Sequence, residues 1–264
     1  MLVSLAHLGL EVKYLDRARA FYGDRLGLDA ASDDGRTVVY PVGPVDLRIR
    51  RPTGVPRGGL HTHFAFSAPG DEYDRWLDHL SNLDPEEVQF GSYRSLYVDD
   101  PDDHCVEIGG TDGDDGDEAD GGDDEAGERR DASGGPTPSL TGVFEVVLEV
   151  TDLDAAERRY AELGFEVVDR GEKRRRVRLR GPGERRQRSP FRPFDLELWE
   201  PQLGLADARG GVHVELGLVV DDPDAAAEAF SEFACESLPT ESDGDRRLRD
   251  SDGHVLTFVD AADE

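Results

Sequence analysis

The sequence predicts an α+β fold built twice over: two tandem copies, each a doubled strand-helix-strand-strand-strand unit. Three observations carry that prediction. Landmarks recur in order: Leu10-Glu11-Val12, Asp16, Ala18, Tyr22 and Leu26-Gly27-Leu28 are answered by Leu148-Glu149-Val150, Asp154, Ala156, Tyr160 and Leu163-Gly164-Phe165. Further on, Gly59 to Phe66 is answered by Gly211 to Leu218, and Asp100 to Ile108 by Asp250 to Phe258. Apolar residues alternate in some segments and recur at helical spacing in others, so both element types are present. Between the copies, residues 111–139 hold 11 acidic residues and 2 arginines among Gly, Ser, Thr and Pro. That stretch has no apolar periodicity and is expected to be a disordered acidic linker joining domains at 1–110 and 140–264.

Within the first copy, Leu5 to Val12 alternates as a strand, with His7, Gly9 and Glu11 on one face. Asp16 is the expected helix N-cap; Ala18, Phe21, Tyr22 and Leu26 follow at helical spacing, and Gly27 stops the helix. Strands are expected at 37–42, 46–50, 60–67, 92–98 and 104–108, with a helix over 71–83 whose stripe is Tyr73, Trp76, Leu77 and Leu80. In the second copy, strands are expected at 143–150, 166–169, 174–180, 194–200, 212–220, 246–249 and 254–259, and helices at 154–163 and 222–233. Asp222-Pro223 is a strong helix start, an N-cap before a first-turn proline.

Composition narrows the function. The 264 residues suit two domains of ordinary size. No apolar run approaches the roughly 20 residues of a spanning helix, which excludes a helical membrane protein. Met1-Leu2-Val3-Ser4-Leu5 carries no basic flank or cleavage site, and two cysteines, Cys105 and Cys235, make no disulfide framework; a cytoplasmic location is expected. Fifty-nine acidic against 30 basic residues give −29, with lysine only at 13 and 173. So acidic and lysine-poor a surface resembles that of proteins from salt-loving archaea, where a Debye length of about 3 Å at molar salt screens self-repulsion. Nucleic acid is an unsuitable partner for it. From Arg170 to Arg192 eleven basic residues face only Glu172 and Glu184; Arg176, Arg178 and Arg180 alternate with Val177 and Leu179 as a strand with a basic outer face. That segment is a docking place for the acidic linker at low salt or, alternatively, for a polyanion.

Chemistry-bearing residues fall at matching positions. His7, His63 and Glu107 of the first copy stand opposite Glu145, Glu215 and Thr257 of the second. Two imidazoles and a carboxylate cap one face of an octahedral ion and leave three positions open. His61, two residues before His63, shares its face, as Cys105 shares that of Glu107. His104 is expected in a solvent-facing turn.

This layout, with Leu-Gly-Leu after the first helix and Asp100-Pro101-Asp102-Asp103-His104 before Glu107, resembles the vicinal oxygen chelate superfamily. That superfamily holds glyoxalase I, extradiol dioxygenases and the bleomycin- and fosfomycin-resistance proteins. The resemblance implies tandem glyoxalase-like domains, each a cupped mixed sheet. It places His7, His63 and Glu107 as metal ligands of the first domain, with Fe(II) or Mn(II) as the expected ion. It also puts a fourth ligand where this chain has Arg48, which argues for oxygenase over isomerase chemistry, and it makes Tyr97, His61 and Arg48 the substrate-contacting residues. Leu96-Tyr97 before Glu107 resembles the tail of the extradiol signature, although Val88-Gln89-Phe90-Gly91 lacks that signature's histidine and Asp103 replaces its usual Gly or Pro. In the second domain Glu145, Glu197 and Glu215, with His213 nearby, line what reads as a degenerate site. The expected function is metal-dependent oxidation, of the extradiol type, of a small substrate with vicinal oxygens, by a monomer or homodimer. Two alternatives stay open: a metal-free ligand-binding protein of the bleomycin-resistance kind, and a glyoxalase-like isomerase or lyase.

Overall fold

The structure is a computed structural model that describes residues 2–52, 61–90, 93–111, 137–171, 175–182, 194–201, 214–240 and 242–261. Most of the acidic linker, His213 and much of the arginine-rich segment lie outside those residues.

The first copy runs β1 (Leu2–Glu11), α1 (Leu15–Ala18) continued by a π turn over Arg19–Arg25, β2 (Ser32–Asp33), β3 (Thr37–Val42) and β4 (Val45–Arg50). Its second half is β5 (His63–Pro69), α2 (Tyr73–His79), β6 (Glu86–Phe90), β7 (Tyr93–Asp99) and β8 (Cys105–Thr111). The second copy gives β9 (Gly142–Glu149), α3 (Leu153–Ala161), β10 (Glu166–Arg170), β11 (Arg176–Arg180) and β12 (Asp195–Trp199). It closes with β13 (Glu215–Val220), α4 (Pro223–Phe230), β14 (Ala234–Leu238), β15 (Arg246–Asp250) and β16 (Val255–Asp260). Three short strands escape the sequence reading: β2, β6 and β14. The first two are largely exposed, so neither shows an apolar face.

These strands form two eight-stranded mixed sheets, and each sheet takes one half from each copy. Sheet I has the order β14-β15-β16-β13-β1-β4-β3-β2, and sheet II the order β10-β11-β12-β9-β5-β8-β7-β6. The seams between copies are antiparallel, β1 against β13 and β5 against β9. A cup is therefore shared between copies rather than closed within one. The two halves of a copy join through the apolar faces of both sheets, which share one core with Trp76, Tyr22, Tyr73 and Tyr160 at its centre.

The repeated landmarks fasten that join. Tyr22 donates its hydroxyl to Asp100 Oδ2 at 2.8 Å, and Tyr160 to Asp250 at 3.4 Å. Asp100 and Asp250 each shape a tight turn by accepting two backbone N–H bonds, from Asp102 and His104 and from Asp252 and His254. Asp103 adopts φ +65° in that turn where Gly253 adopts +88°, a left-handed conformation that glycine takes most easily. His104 is not solvent-facing: its ring bonds Asp100 at 2.9 Å and is 13% exposed.

Two helix starts differ from expectation. Asp16 lies in the first turn, and the capping position is Tyr14, whose side chain makes no capping bond; the helix expected from 154 begins at Leu153, with Asp152 capping it through Ala155. Asp222 does cap α4, as Asp222-Pro223 predicts. The π turn has a sequence cause. Tyr22 and Leu26 are four apart where Tyr160 and Leu163 are three apart, and the extra residue widens one turn, with Leu26 N bonding Phe21 O at 2.8 Å.

Candidate metal centre

Because side chains alternate, the register of sheet II fixes what faces its cup. Ala65 pairs with Glu107 on one side and Glu145 on the other, while Glu107 pairs with Tyr97. On β12, Asp195, Glu197 and Trp199 share the face of Glu145, and Arg178 of β11 stands opposite Glu197. His63, Glu107 and Glu145 each bring one donor atom within 4.8 Å of the other two, and all three are buried.

Hydrogen bonds hold this group from the side. His63 Nε2 lies 3.0 Å from Glu107 Oε2, and the Ser95 hydroxyl donates to Glu107 Oε1. His63 Nδ1 is buried without a hydrogen-bond partner. Tyr97 sits against Glu107, its ring 5.7 Å from that of His63; burial and the Glu107 charge push its hydroxyl well above the usual phenol range. Tyr93 lies over Gly109, where any Cβ would overlap its hydroxyl, so this glycine makes room for the phenol. Arg178 donates to Glu197 at 2.7 Å and approaches Glu145 at 2.7 Å. Glu197 is further held by Arg176 at 3.1 Å and by Trp199 Nε1 at 2.7 Å. Even so, burial and the neighbouring Glu197 raise the Glu145 carboxyl to about 8. Sheet II thus gathers more buried carboxylate than its arginines neutralise.

His7 is elsewhere. It lies on β1 in sheet I, where its ring covers Gly217 and its Nε2 is 3.9 Å from Glu215. The expected grouping of His7 with His63 and Glu107 is therefore not formed; the strand beside β5 is β9, which puts Glu145 in the place assigned to His7. Arg48 is also in sheet I, 38% exposed and 3.7 Å from Asp46, away from Glu107. Glu197, the counterpart of Arg48 in the second copy, lies in sheet II. Glu145 and Glu197, read from the sequence as part of a degenerate site, lie in the same sheet as His63 and Glu107. Nor is the basic face of β11 an outer one: Val177 and Leu179 are in the core, and Arg176, Arg178 and Arg180 pair with carboxylates facing the cup.

His61 does reach this cup. Its ring stacks on Trp199 at 5.4 Å and 8°, and meets His63 at 5.7 Å. Cys105 is partly buried and free, its thiol pushed up to about 12 by burial and the charges of Asp99, Glu107 and Glu86.

In sheet I the corresponding cup is closed by cations. Glu215 is bonded by Arg247 at 2.8 and 2.9 Å and by Thr257 at 2.8 Å, with Arg50 at 2.5 Å. Burial alone would raise the Glu215 carboxyl, but His7, Arg50 and Arg247 outweigh it and hold it far below the carboxylate range. Burial and the nearby arginines Arg48 and Arg50 lower His7, against the pull of Glu215.

No family model matches the chain. The chain is similar to the metallothiol transferase FosB of Lysinibacillus sphaericus, 29% identical over 113 residues, covering 40% of this chain and 80% of that one. A putative dioxygenase from Bacillus subtilis superposes with a TM-score of 0.67 at 15% identity, over 98% of this chain and 85% of its own. Glyoxalase I from Zea mays superposes with a TM-score of 0.60 at 17% identity, over 98% and 93%. Two shared eight-stranded sheets and four repeated units, matched over 98% of this chain by those structures, give it a tandem fold like that of glyoxalase I from Zea mays.

Proposed function

We propose that the cup of sheet II is a divalent-metal site held by His63, Glu107 and Glu145, and that the protein is a metal-dependent enzyme acting on a small substrate with two neighbouring oxygens. The convergence of one imidazole and two buried carboxylates carries this reading. The donor set fits an ion on its own chemistry. His63 Nδ1 is buried and orphaned, and Glu145 stays protonated near neutrality in an excess of buried carboxylate that a cation would relieve. Oxygen-rich donors of this kind suit Mg(II), Mn(II) or Fe(II).

A bound ion would supply Lewis acidity and lower the pKa of a substrate hydroxyl. The chain's own groups do the rest. Ser95 and Tyr97 fix Glu107. Arg178 holds Glu197 and Glu145 in place at the edge of the cup. Trp199, His61 and Tyr97 wall the cup with planar surfaces.

One imidazole with two carboxylates is not the two-histidine triad expected of an extradiol enzyme, so proton transfer next to a carbonyl is the leading reaction. Ring cleavage by oxygen is the second reading, favoured by Tyr97 beside Glu107. Metal content by elemental mass spectrometry tests the site: about one ion per chain is expected, lost in His63→Ala and Glu145→Ala and kept in His7→Ala. Retention in all three would overturn the site. Deuterium exchange at carbons next to carbonyls, against oxygen uptake with catechols, separates the two reactions.

A further inference from the structure

We propose that His61, His63 and Cys105 form a second metal site, selective for thiophilic divalent ions such as Cd(II), Zn(II) and Co(II). It lies beside the oxygen-rich triad and shares His63 with it. A donor atom of each residue lies within 4.8 Å of the other two.

Three features of the fold put them together. β5 and β8 are parallel neighbours with His63 directly opposite Cys105, so imidazole and thiol project side by side onto the cup. His61 precedes His63 by two residues of extended chain, and Trp199 stacked on its ring fixes the imidazole plane. Nε2 of His63 faces Glu107, while its buried Nδ1 lacks a hydrogen-bond partner. One ring thus has a nitrogen for each neighbourhood.

The two triads differ in softness. Nitrogen, nitrogen and sulfur suit borderline and soft ions, whereas nitrogen with two carboxylates suits hard ones. Bonds of about 2.1 Å to nitrogen and 2.3 Å to sulfur place tetrahedral donors about 3.5 Å apart. The present separations, within 4.8 Å, exceed that by little more than about 1 Å. Binding forms a metal–sulfur bond and releases the thiol proton to solvent; no electron is transferred.

Co(II) titration of the full chain is the test, read by the thiolate-to-cobalt band in the near ultraviolet. The band is expected in the unmutated protein and in Cys235→Ser, absent in Cys105→Ser, and weakened more than about tenfold in His61→Ala. Mn(II), followed by paramagnetic resonance, should bind Cys105→Ser as it binds the unmutated chain and fail to bind Glu145→Gln. A band that survives Cys105→Ser, or none at all, overturns the proposal. A band without any Mn(II) binding would instead overturn the oxygen-rich site and leave this one standing. Should Cys105→Ser unfold, Cd(II) must slow alkylation of Cys105 in the unmutated chain; an unchanged rate overturns the proposal.

Discussion

The two cups put equivalent strand positions to opposite electrostatic use. In sheet I one buried carboxylate, Glu215, is surrounded by Arg50, Arg247, Thr257 and His7. In sheet II, Glu107 and Glu145 converge on His63, with Glu197 next to Glu145 and Arg178 and Arg176 on that side. A buried carboxylate must be compensated, by fixed cations or by an ion from solution. Sheet I does the first and has no use for a metal. Sheet II is left short of positive charge.

The largest expected effect breaks that contrast from the side of sheet I. Glu215→Ala leaves Arg50 and Arg247 without their common partner inside the fold. Breaking a buried ion network in this way costs about 3–5 kcal/mol, read as a lower denaturation midpoint. Metal content should not change. A stable Glu215→Ala protein would mean that the arginines reach solvent and that sheet I is not self-neutralised.

The matching change in sheet II has the opposite sign. Glu145 titrates at about 8 in the folded chain against an ordinary 4.5. Between those values the folded, metal-free protein holds a proton that the unfolded chain has released. Its stability therefore falls as pH rises from about 4.5 to about 8, by up to about 1.4 kcal/mol per pH unit. Glu145→Gln should flatten this slope and stabilise the metal-free protein at pH 8, while losing the ion. Denaturant titrations across that range, with and without metal, check it. A slope unaffected by Glu145→Gln would place the excess charge elsewhere.

A smaller effect concerns Arg178, the sheet II cation that reaches Glu145. It competes with any ion for Glu145. Arg178→Gln should tighten metal binding about tenfold, or roughly 1.4 kcal/mol, as measured by isothermal titration. Weaker binding would show that the guanidinium orients Glu145 for the ion.

Much of this was legible beforehand. The repeat predicts the helices, most strands and the Asp100 and Asp250 turns, and the family resemblance singles out His63 and Glu107, along with His7. Which strand lies beside β5 was not legible. Alternation on a strand shows which residues share a face, but it is the same whether β5 neighbours β1 or β9. Hence His7 was grouped with His63, and Glu145 and Glu197 were assigned to a degenerate site. A signal existed in the charges. Combining the inner halves gathers His63, Glu107, Glu145 and Glu197, while the outer halves put Arg50 and Arg247 around Glu215. Sorting by compensation would have chosen the observed pairing. Arg178 was legible as basic, but the face of β11 was misjudged, because a strand's outer and inner sides are exchanged by a choice of neighbours.

The smallest effect compares the two copies at the tyrosines that join their halves. Tyr22 bonds Asp100 at 2.8 Å, and Tyr160 bonds Asp250 at 3.4 Å. Asp250 also has Arg159 at 3.4 Å, and Asp252 is bound by that same buried arginine. The first copy has Phe21 in place of Arg159, and Asp102 Oδ2 there is buried without a partner. Its join thus depends more on the tyrosine. Tyr22→Phe should cost about 1 kcal/mol, a fall in Tm of about 2–4 °C for a chain of this size. Tyr160→Phe removes a long, poorly directed bond beside an arginine that remains, and should cost less than about 0.5 kcal/mol. Calorimetry on both variants decides the order. If Tyr160→Phe proved the more damaging, the phenol would be orienting Arg159, and the second copy's join would rest on a three-residue network instead of an ion pair alone.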